Sequence, residues 1–115
     1  MSYSFTKIRR LREKKDYDGV FAKAERLATS EFIILHKKST AITARLGLAL
    51  SKKAIPKAVQ RNRIKRLLRE SFRISELPQI DIIVLAKRGV DKIENRKLFS
   101  DLSAVWKKIA LYYAS

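Results

Sequence analysis

Apolar residues recur every three to four positions in three stretches of the chain, and this period predicts three helices. The first helix covers about residues 15–24 and the second about residues 57–74. The third covers residues 95–112, and its apolar stripe, with Phe99 and Trp106 beside it, is predicted to be core.

Four shorter stretches have the alternation or the β-branched content that predicts strands. Residues 31–38 and 45–51 precede the second helix, residues 79–86 follow it, and a short piece at 26–29 can pair with the first strand. Residues 82–85 are apolar on both faces, which predicts a central strand. The order is therefore helix, two or three strands, helix, strand, helix. It predicts an α+β fold in which three helices pack on one small mixed sheet of three to four strands.

The strand at residues 45–51 alternates large and small side chains. Its leucines point to one side and Gly47, Ala49 and Ser51 point to the other. The small side permits close approach by a helix or by a ligand backbone.

The second helix separates charged from apolar residues around its axis. At about 100° per residue, its basic positions form one slowly drifting line with two polar neighbours: Arg61, Lys65, Arg69 and Arg73, flanked by Asn62 and Arg66. The apolar positions are predicted on the opposite side: Ile64, Leu67, Ser71 and Ile74, with Leu68 and Phe72 at the margin.

The charge of this helix favours a polyanionic partner. Residues 57–73 carry seven basic residues against one acidic residue, Glu70. Like charges four residues apart destabilise a helix by roughly a few tenths of a kcal/mol per pair. An ordinary solvated face is the alternative, but such a face usually mixes Glu with its Lys and Arg. The whole chain has a formal net charge of +16, which implies nucleic acid or an anionic membrane surface as the partner.

Composition sets the outer bounds. The 115 residues are predicted to form a single domain, residues 1–115, that begins with a basic arm at about residues 1–14. The chain has no cysteine, which excludes disulfides and thiolate-bound zinc. The N-terminus lacks the apolar core of a signal peptide, and the most apolar run, residues 82–86, is too short to span a bilayer. These features predict a cytoplasmic protein.

The sequence contains no recognisable catalytic centre. It has one histidine, His36, and its eleven acidic residues are scattered singly, without the spacing that clusters metal ligands on a helix. We therefore expect no catalytic residue and no metal site on the protein, and binding is the expected role.

Three motifs resemble those of the protein subunit of bacterial ribonuclease P. Residues 61–66 are Arg-Asn-Arg-Ile-Lys-Arg, and residues 69–73 are Arg-Glu-Ser-Phe-Arg. Upstream, residues 48–53 are Leu-Ala-Leu-Ser-Lys-Lys, and residues 11–21 are Leu-Arg-Glu-Lys-Lys-Asp-Tyr-Asp-Gly-Val-Phe. Their order and spacing, and the chain length, also match, so the resemblance covers nearly the whole sequence.

The resemblance implies a protein cofactor of a ribonucleoprotein in which a catalytic RNA removes the 5′ leader of precursor tRNA with magnesium, bound mainly by the RNA, and no organic cofactor. It implies a set of residues that contact the catalytic RNA: Arg61, Asn62, Arg63, Lys65, Arg66, Arg69 and Arg73. It implies a second set that contacts the single-stranded leader: Tyr17, Phe21, Lys52, Lys53, Lys57, Lys87 and Arg88. It also implies a left-handed β-α-β crossover, although physical rules alone favour the right hand.

Alternatives remain for the aromatic residues and for the partner. By spacing alone Tyr17 and Phe21 are ordinary core residues of an amphipathic helix, whereas as groove residues they would stack on unpaired bases. His36 occupies a position where that family often has a large or aromatic residue, and a hydrogen-bonded strand histidine is the other interpretation. The alternative function is a non-catalytic RNA-binding protein of ribosomal or chaperone type. A membrane-surface protein is disfavoured because Trp106 lies in the core stripe.

Overall fold

The computed structural model describes residues 10–11, 14–39, 41 and 43–114. Within these residues the elements follow the predicted order. The helices are α1 (Lys14–Lys23), α2 (Ala58–Arg73) and α3 (Asn95–Tyr112). The strands are β1 (Glu25–Ala28), β2 (Phe32–Lys38), β3 (Arg45–Ala49) and β4 (Ile80–Ala86), and a short 3-10 helix, Val90–Lys92, precedes α3.

The four strands form one mixed sheet in the order β1-β2-β4-β3, which confirms the α+β fold. β1 pairs antiparallel with β2, and β4 lies between β2 and β3 as its two apolar faces predicted. β3 and β4 are parallel, so α2 is the crossover between neighbouring strands. The left hand of that crossover stays a prediction. β2 and β3 follow each other in the chain but are not neighbours in the sheet, because β4 lies between them.

The face of the sheet that carries α2 and α3 holds the main core. Its fully buried side chains include Phe32, Ile34, Ile82 and Val84 from the strands. The stripe of α2 differs from the prediction, because α2 packs on α3 as well as on the sheet. Leu68 and Phe72, which were predicted at the margin of the apolar stripe, are completely buried because α2 contacts both neighbours. Ile74, which was predicted within the stripe, is 49% exposed.

A buried serine joins α2 to α3. Ser71 Oγ accepts a hydrogen bond from Trp106 Nε1 at 3.0 Å and donates to the Leu68 carbonyl at 3.0 Å. The Trp106 ring packs edge-on against Phe72, with ring centroids 5.8 Å apart. Trp106 is therefore core, as predicted. Phe99 was also predicted beside the core stripe, but it belongs to neither core cluster of the described residues.

The opposite face of the sheet carries α1 and a much smaller core. Leu11, Val20 and Ile83 are its buried apolar residues. The face of β3 that carries small side chains allows a helix residue to approach closely, as predicted. The ring of Tyr17 lies over Gly47, so close that a Cβ added at Gly47 would be 2.8 Å from the ring. Any larger residue at position 47 would therefore displace the tyrosine.

A partly buried ion pair closes one end of this α1 face. Arg45 donates to both carboxylate oxygens of Asp81, from Nε at 2.9 Å and from the terminal nitrogen at 2.8 Å. Asp16 of α1 lies 3.6 Å from the same guanidinium. The hydrogen bonds that Arg45 donates to Asp81 are the main reason that the pKa of Arg45 is raised. The cluster ties α1 to β3 and β4.

The outer edge of β3 is covered by the start of the chain. The Leu11 backbone N–H donates to the Leu46 carbonyl at 3.0 Å, and the Leu48 N–H donates to the Tyr17 hydroxyl at 3.2 Å. These contacts protect an otherwise exposed strand edge. Most of the predicted basic arm, residues 1–9 and 12–13, lies outside the described residues, and Arg10 and Leu11 dock on β3.

His36 is a buried, hydrogen-bonded strand histidine. Its side chain lies on the α3 side of β2, where Nδ1 is 2.8 Å from the Tyr113 hydroxyl and the ring contacts Tyr112 and Tyr113 edge-on. Burial lowers the pKa of His36, although nearby Glu25 opposes this effect. Tyr17, by contrast, lies on the α1 side of the sheet, so the two side chains do not share a groove.

Candidate nucleic-acid interface

The cations of α2 divide into two groups in the structure, although they form one continuous face in the sequence. Three arginines are bound to the protein itself. Arg61 donates to the carbonyls of Ile55 and Pro56, both at 2.9 Å, and Arg73 bonds to Glu70 at 2.6 Å. The interpretation of α2 as one unpaired basic face is therefore wrong for these positions, because main-chain carbonyls and a carboxylate already bind their guanidinium groups.

The third of these arginines, Arg63, ties α2 to the segment before α3. Its Nε donates to Gln60 at 2.8 Å, and its terminal nitrogens donate to the Asp91 carbonyl at 2.9 Å and the Ile93 carbonyl at 3.3 Å. It also bonds to the side chain of Asn95. With acceptors on all three nitrogens, Arg63 serves as an internal clamp more than as a free phosphate ligand.

Four predicted contact residues of α2 remain available, and we call them the outward set: Asn62, Lys65, Arg66 and Arg69. Asn62 and Arg66 are exposed. None of the four side chains has a hydrogen bond to another residue in the described part of the chain. Burial, and then the charge of Arg10, lower the pKa of Arg69. The fold thus holds cations close together at an electrostatic cost, which an anionic ligand would relieve.

A cleft of about 240 Å³ lies beside the covered edge of β3, and we call it the β3-edge cleft. Lys65 and Arg69 of the outward set line it from α2, Arg10 lines it from the chain start, and Tyr17 lines it from α1. No acidic residue is among its described lining residues. The sequence predicts Arg10 only as part of the basic arm, since no pattern indicates that it lies beside α2 at this edge.

The two aromatic residues of α1 have different surroundings. Tyr17 is half-buried, with its hydroxyl on β3 and its ring over Gly47. Phe21 lies one turn later on the same side of α1 and is 50% exposed. The core interpretation is therefore wrong for Phe21 and partly right for Tyr17.

The predicted leader-binding cations gather at one end of the sheet. β3 and β4 are parallel, with Ala49 opposite Leu85. The residues that follow the two strands therefore lie at the same end of the sheet, beyond the carboxyl ends of both strands. These residues are Lys52 and Lys53 after β3, and Lys87 and Arg88 after β4. All are exposed except Lys87, which is half-buried and donates from Nζ to the Thr29 carbonyl at 2.5 Å. Lys57 is exposed at the start of α2.

The surface between these cations and α1 is partly apolar. Ala49 and Leu85 are half-buried side chains of the α1 face, and they pack against its small core. Tyr17 packs against the same small core, and Phe21 lies on the same side of α1 as Tyr17. We group these four residues as the α1 groove. Its basic rim consists of Lys52, Lys53, Lys87 and Arg88. Aromatic faces beside lysines suit single-stranded nucleic acid, because rings stack on bases while cations bind phosphates.

The described residues do not offer a metal centre. They contain no group of three or more histidine and carboxylate side chains that could hold a metal ion. The side chains of the described residues therefore do not provide a donor set that fits magnesium. None of the described helices has the length and apolarity needed to cross a membrane.

Comparisons with known proteins identify the family of this chain. The model of the Ribonuclease P family matches residues 5–110. The ribonuclease P protein component of Legionella pneumophila (strain Corby) is 50% identical over 111 residues, which cover 96% of this chain and 97% of that protein. The corresponding protein of Saccharophagus degradans is 47% identical over 113 residues, which cover 93% of this chain and 82% of that protein.

Solved structures show the same fold. The RNase P protein of Staphylococcus aureus superposes with a TM-score of 0.81 at 29% identity, covering 89% of this chain and 97% of that one. The RNase P protein of Thermotoga maritima superposes with a TM-score of 0.76 at 27% identity, covering 87% and 96%. The chain therefore belongs to the ribonuclease P family, as a protein component of that tRNA-processing ribonuclease.

Proposed function

We propose that the chain is the protein cofactor of a ribonuclease P ribonucleoprotein and binds two RNA segments at once. The outward set contacts the catalytic RNA, and the α1 groove contacts the single-stranded 5′ leader of precursor tRNA. The catalytic RNA, with magnesium bound mainly to it, performs the hydrolysis that yields the mature 5′ end. The assembly acts in the cytoplasm.

One observation carries this proposal: the two surfaces meet at the β3-edge cleft. Tyr17 of the α1 groove and Lys65 and Arg69 of the outward set line the same cleft. A leader that stacks on α1 would therefore lie beside an RNA bound to α2. This proximity gives the protein a means to hold substrate and catalytic RNA together, which lowers the entropic cost of their encounter.

The role in magnesium use follows from charge. Phosphates of the leader and of the catalytic RNA repel each other where they approach, and divalent ions would otherwise screen that repulsion. The cations of the outward set and of the groove rim supply positive charge at the same place. The protein should therefore reduce the magnesium concentration that cleavage requires, while the isolated protein should not cleave precursor tRNA.

The test measures how binding of the catalytic RNA depends on salt. Each phosphate contact contributes roughly −0.7 to −0.9 to the slope of log affinity against log salt. Replacing Lys65 and Arg66 together by alanine should flatten the slope by about 1–2. Arg61 is avoided because its carbonyl contacts support the fold. The matched control replaces two exposed cations of α3, Lys107 and Lys108, and should leave the slope unchanged.

A second measurement separates this function from that of a ribosomal-type or chaperone RNA-binding protein. The reconstituted complex should bind precursor tRNA with a leader more tightly than mature tRNA, and the protein should increase that difference. Equal affinity for both tRNAs, with and without the protein, would favour the alternative. An unchanged salt slope in the Lys65 and Arg66 variant would refute the assignment of the outward set.

A further inference from the structure

A groove between α2 and α3 begins at two residues of the outward set, Asn62 and Arg66, and continues beyond that set to α3. It has a volume of about 600 Å³, within the range of about 300–1,000 Å³ that is typical of ligand sites. Three apolar side chains line it, Val59 and Leu67 from α2 and Phe99 from α3. We call it the α2–α3 groove.

The fold does not account for two of these apolar residues. Leu67 packs against the main core, but Val59 is 75% exposed and Phe99 belongs to neither core cluster of the described residues. A ligand with both apolar and anionic parts could contact this site, because an exposed valine and an accessible aromatic ring lie beside a strongly basic helix. Apolar groups that add nothing to the core are available to such a ligand.

The polar lining of the groove has the groups that recognise a nucleobase. Asn62 and Asn95 provide amides that can bond to base edges, and Arg66 provides an exposed cation. Arg63 forms a fixed wall, because Asn95 and the carbonyls before α3 already bind its guanidinium. The carboxylate of Glu70, the acidic residue of the lining, is bound by Arg73.

We propose that the α2–α3 groove receives one unpaired nucleobase of the catalytic RNA. The base stacks on Phe99 and contacts Val59, the amides of Asn62 and Asn95 bond to its edge, and Arg66 binds an adjacent phosphate. This inference rests on the proposed function, since it concerns the same RNA. It extends the RNA contact from α2 to α3 and adds an apolar contact to an otherwise electrostatic interface.

The experiment uses the protein reconstituted with its catalytic RNA and two groove variants. Val59→Ser changes an exposed side chain, so it should not affect folding. Phe99→Leu keeps apolar volume but removes the aromatic face. We expect the affinity for the catalytic RNA to fall by about five- to 150-fold for the lost stack and by less for Val59→Ser. The salt slope should stay at the wild-type value in both variants, because neither removes a charge.

The matched control is Leu111→Ser, because Leu111 is also 75% exposed but lies at the far end of α3. It should bind the RNA like the wild-type protein. Thermal melts show whether Phe99→Leu remains folded, and Val59→Ser carries the test if it does not. A loss for Leu111→Ser equal to that for Val59→Ser would overturn the proposal.

Chemical probing of the RNA then locates the base. The wild-type protein should protect the Watson–Crick edge of one unpaired nucleotide from base-specific reagents, and Phe99→Leu should restore its reactivity while backbone protection elsewhere persists. Wild-type affinity and wild-type protections in both groove variants would overturn the inference but leave the proposed function intact. If the wild-type protein lacked salt-dependent binding to the catalytic RNA, the proposed function itself would fail.

Discussion

The two faces of the sheet differ in how they use apolar residues. The face under α2 and α3 buries eighteen apolar residues, among them Phe32 on β2 and Phe72 and Trp106 on the helices. The face under α1 buries three, Leu11, Val20 and Ile83, and leaves Phe21 half exposed. Stability scales with the apolar area removed from water. The α2–α3 face therefore supplies most of the folding free energy.

The smaller core has a consequence for ligand binding. The ion pair between Arg45 and Asp81 closes one end of the α1 face, whereas the other end has half-buried Ala49 and Leu85 near exposed lysines. Because folding does not require every apolar residue of the α1 face to be buried, some of these residues can stay partly exposed and contact a ligand. This division predicts that substitutions on the two faces affect different measurements.

The largest effect should come from the α2–α3 face. Phe72→Ala removes a fully buried ring that contacts Trp106, and truncation of a buried aromatic residue typically costs about 3–5 kcal/mol of unfolding free energy. Equilibrium denaturation with urea measures this loss. Phe72→Leu, which keeps most of the volume, should lose less. A loss below about 1 kcal/mol for Phe72→Ala would mean that this face does not dominate stability.

The second prediction concerns the α1 groove. Phe21→Ala should weaken binding of leader-bearing precursor tRNA by about 1–3 kcal/mol if the ring stacks on a base. Its melting temperature should hardly change, because the ring is half exposed. Binding of mature tRNA should stay the same, since it has no leader. Fluorescence binding assays with both tRNAs measure this difference.

The control for Phe21→Ala is Leu111→Ala, which also truncates an exposed apolar helix residue but lies outside the groove. It should bind both tRNAs like the wild-type protein. Equal losses for both tRNAs in Phe21→Ala, or a large drop in its melting temperature, would instead assign Phe21 to the fold.

Local patterns predicted the elements well. The bounds of α3 coincide with the prediction, and those of the other elements differ by one or two residues. The period of apolar residues reports which face of an element is buried, and the apolar run at residues 82–85 correctly indicated a central strand. The short extended piece predicted at residues 26–29 does pair with β2, as β1.

Contacts between distant segments could not be predicted in the same way. The arginines of α2 share one sequence pattern, but Arg63 binds the carbonyl of Asp91, 28 positions later, which only the folded chain places nearby. The buried side of α2 includes Phe72, unlike the prediction, because Phe72 packs on Trp106 of α3, 34 positions later in the chain. The position of Arg10 in the β3-edge cleft likewise depends on tertiary structure.

The smallest predicted effect is the pH dependence of stability caused by His36, which lies on the α2–α3 face of the sheet. His36 is the only histidine of the chain, and burial lowers its pKa in the folded protein below the usual 6.5. Burial also raises the pKa of Tyr113 to about 12, so the hydroxyl that bonds to His36 stays protonated. The folded state thus favours the neutral imidazole.

The sign of the pH effect follows from this preference. As the pH falls through about 6.5, the unfolded chain binds a proton before the folded protein does, so the unfolding free energy should decrease. Melting temperatures measured from pH 7.5 to 5.5 at constant ionic strength avoid most carboxylate titration, which lies near pH 4. The wild-type protein should lose stability across this range, and His36→Gln should lose less. Parallel curves would assign the change to other groups, and a gain in stability at low pH would show that attraction to Glu25 outweighs the effect of burial.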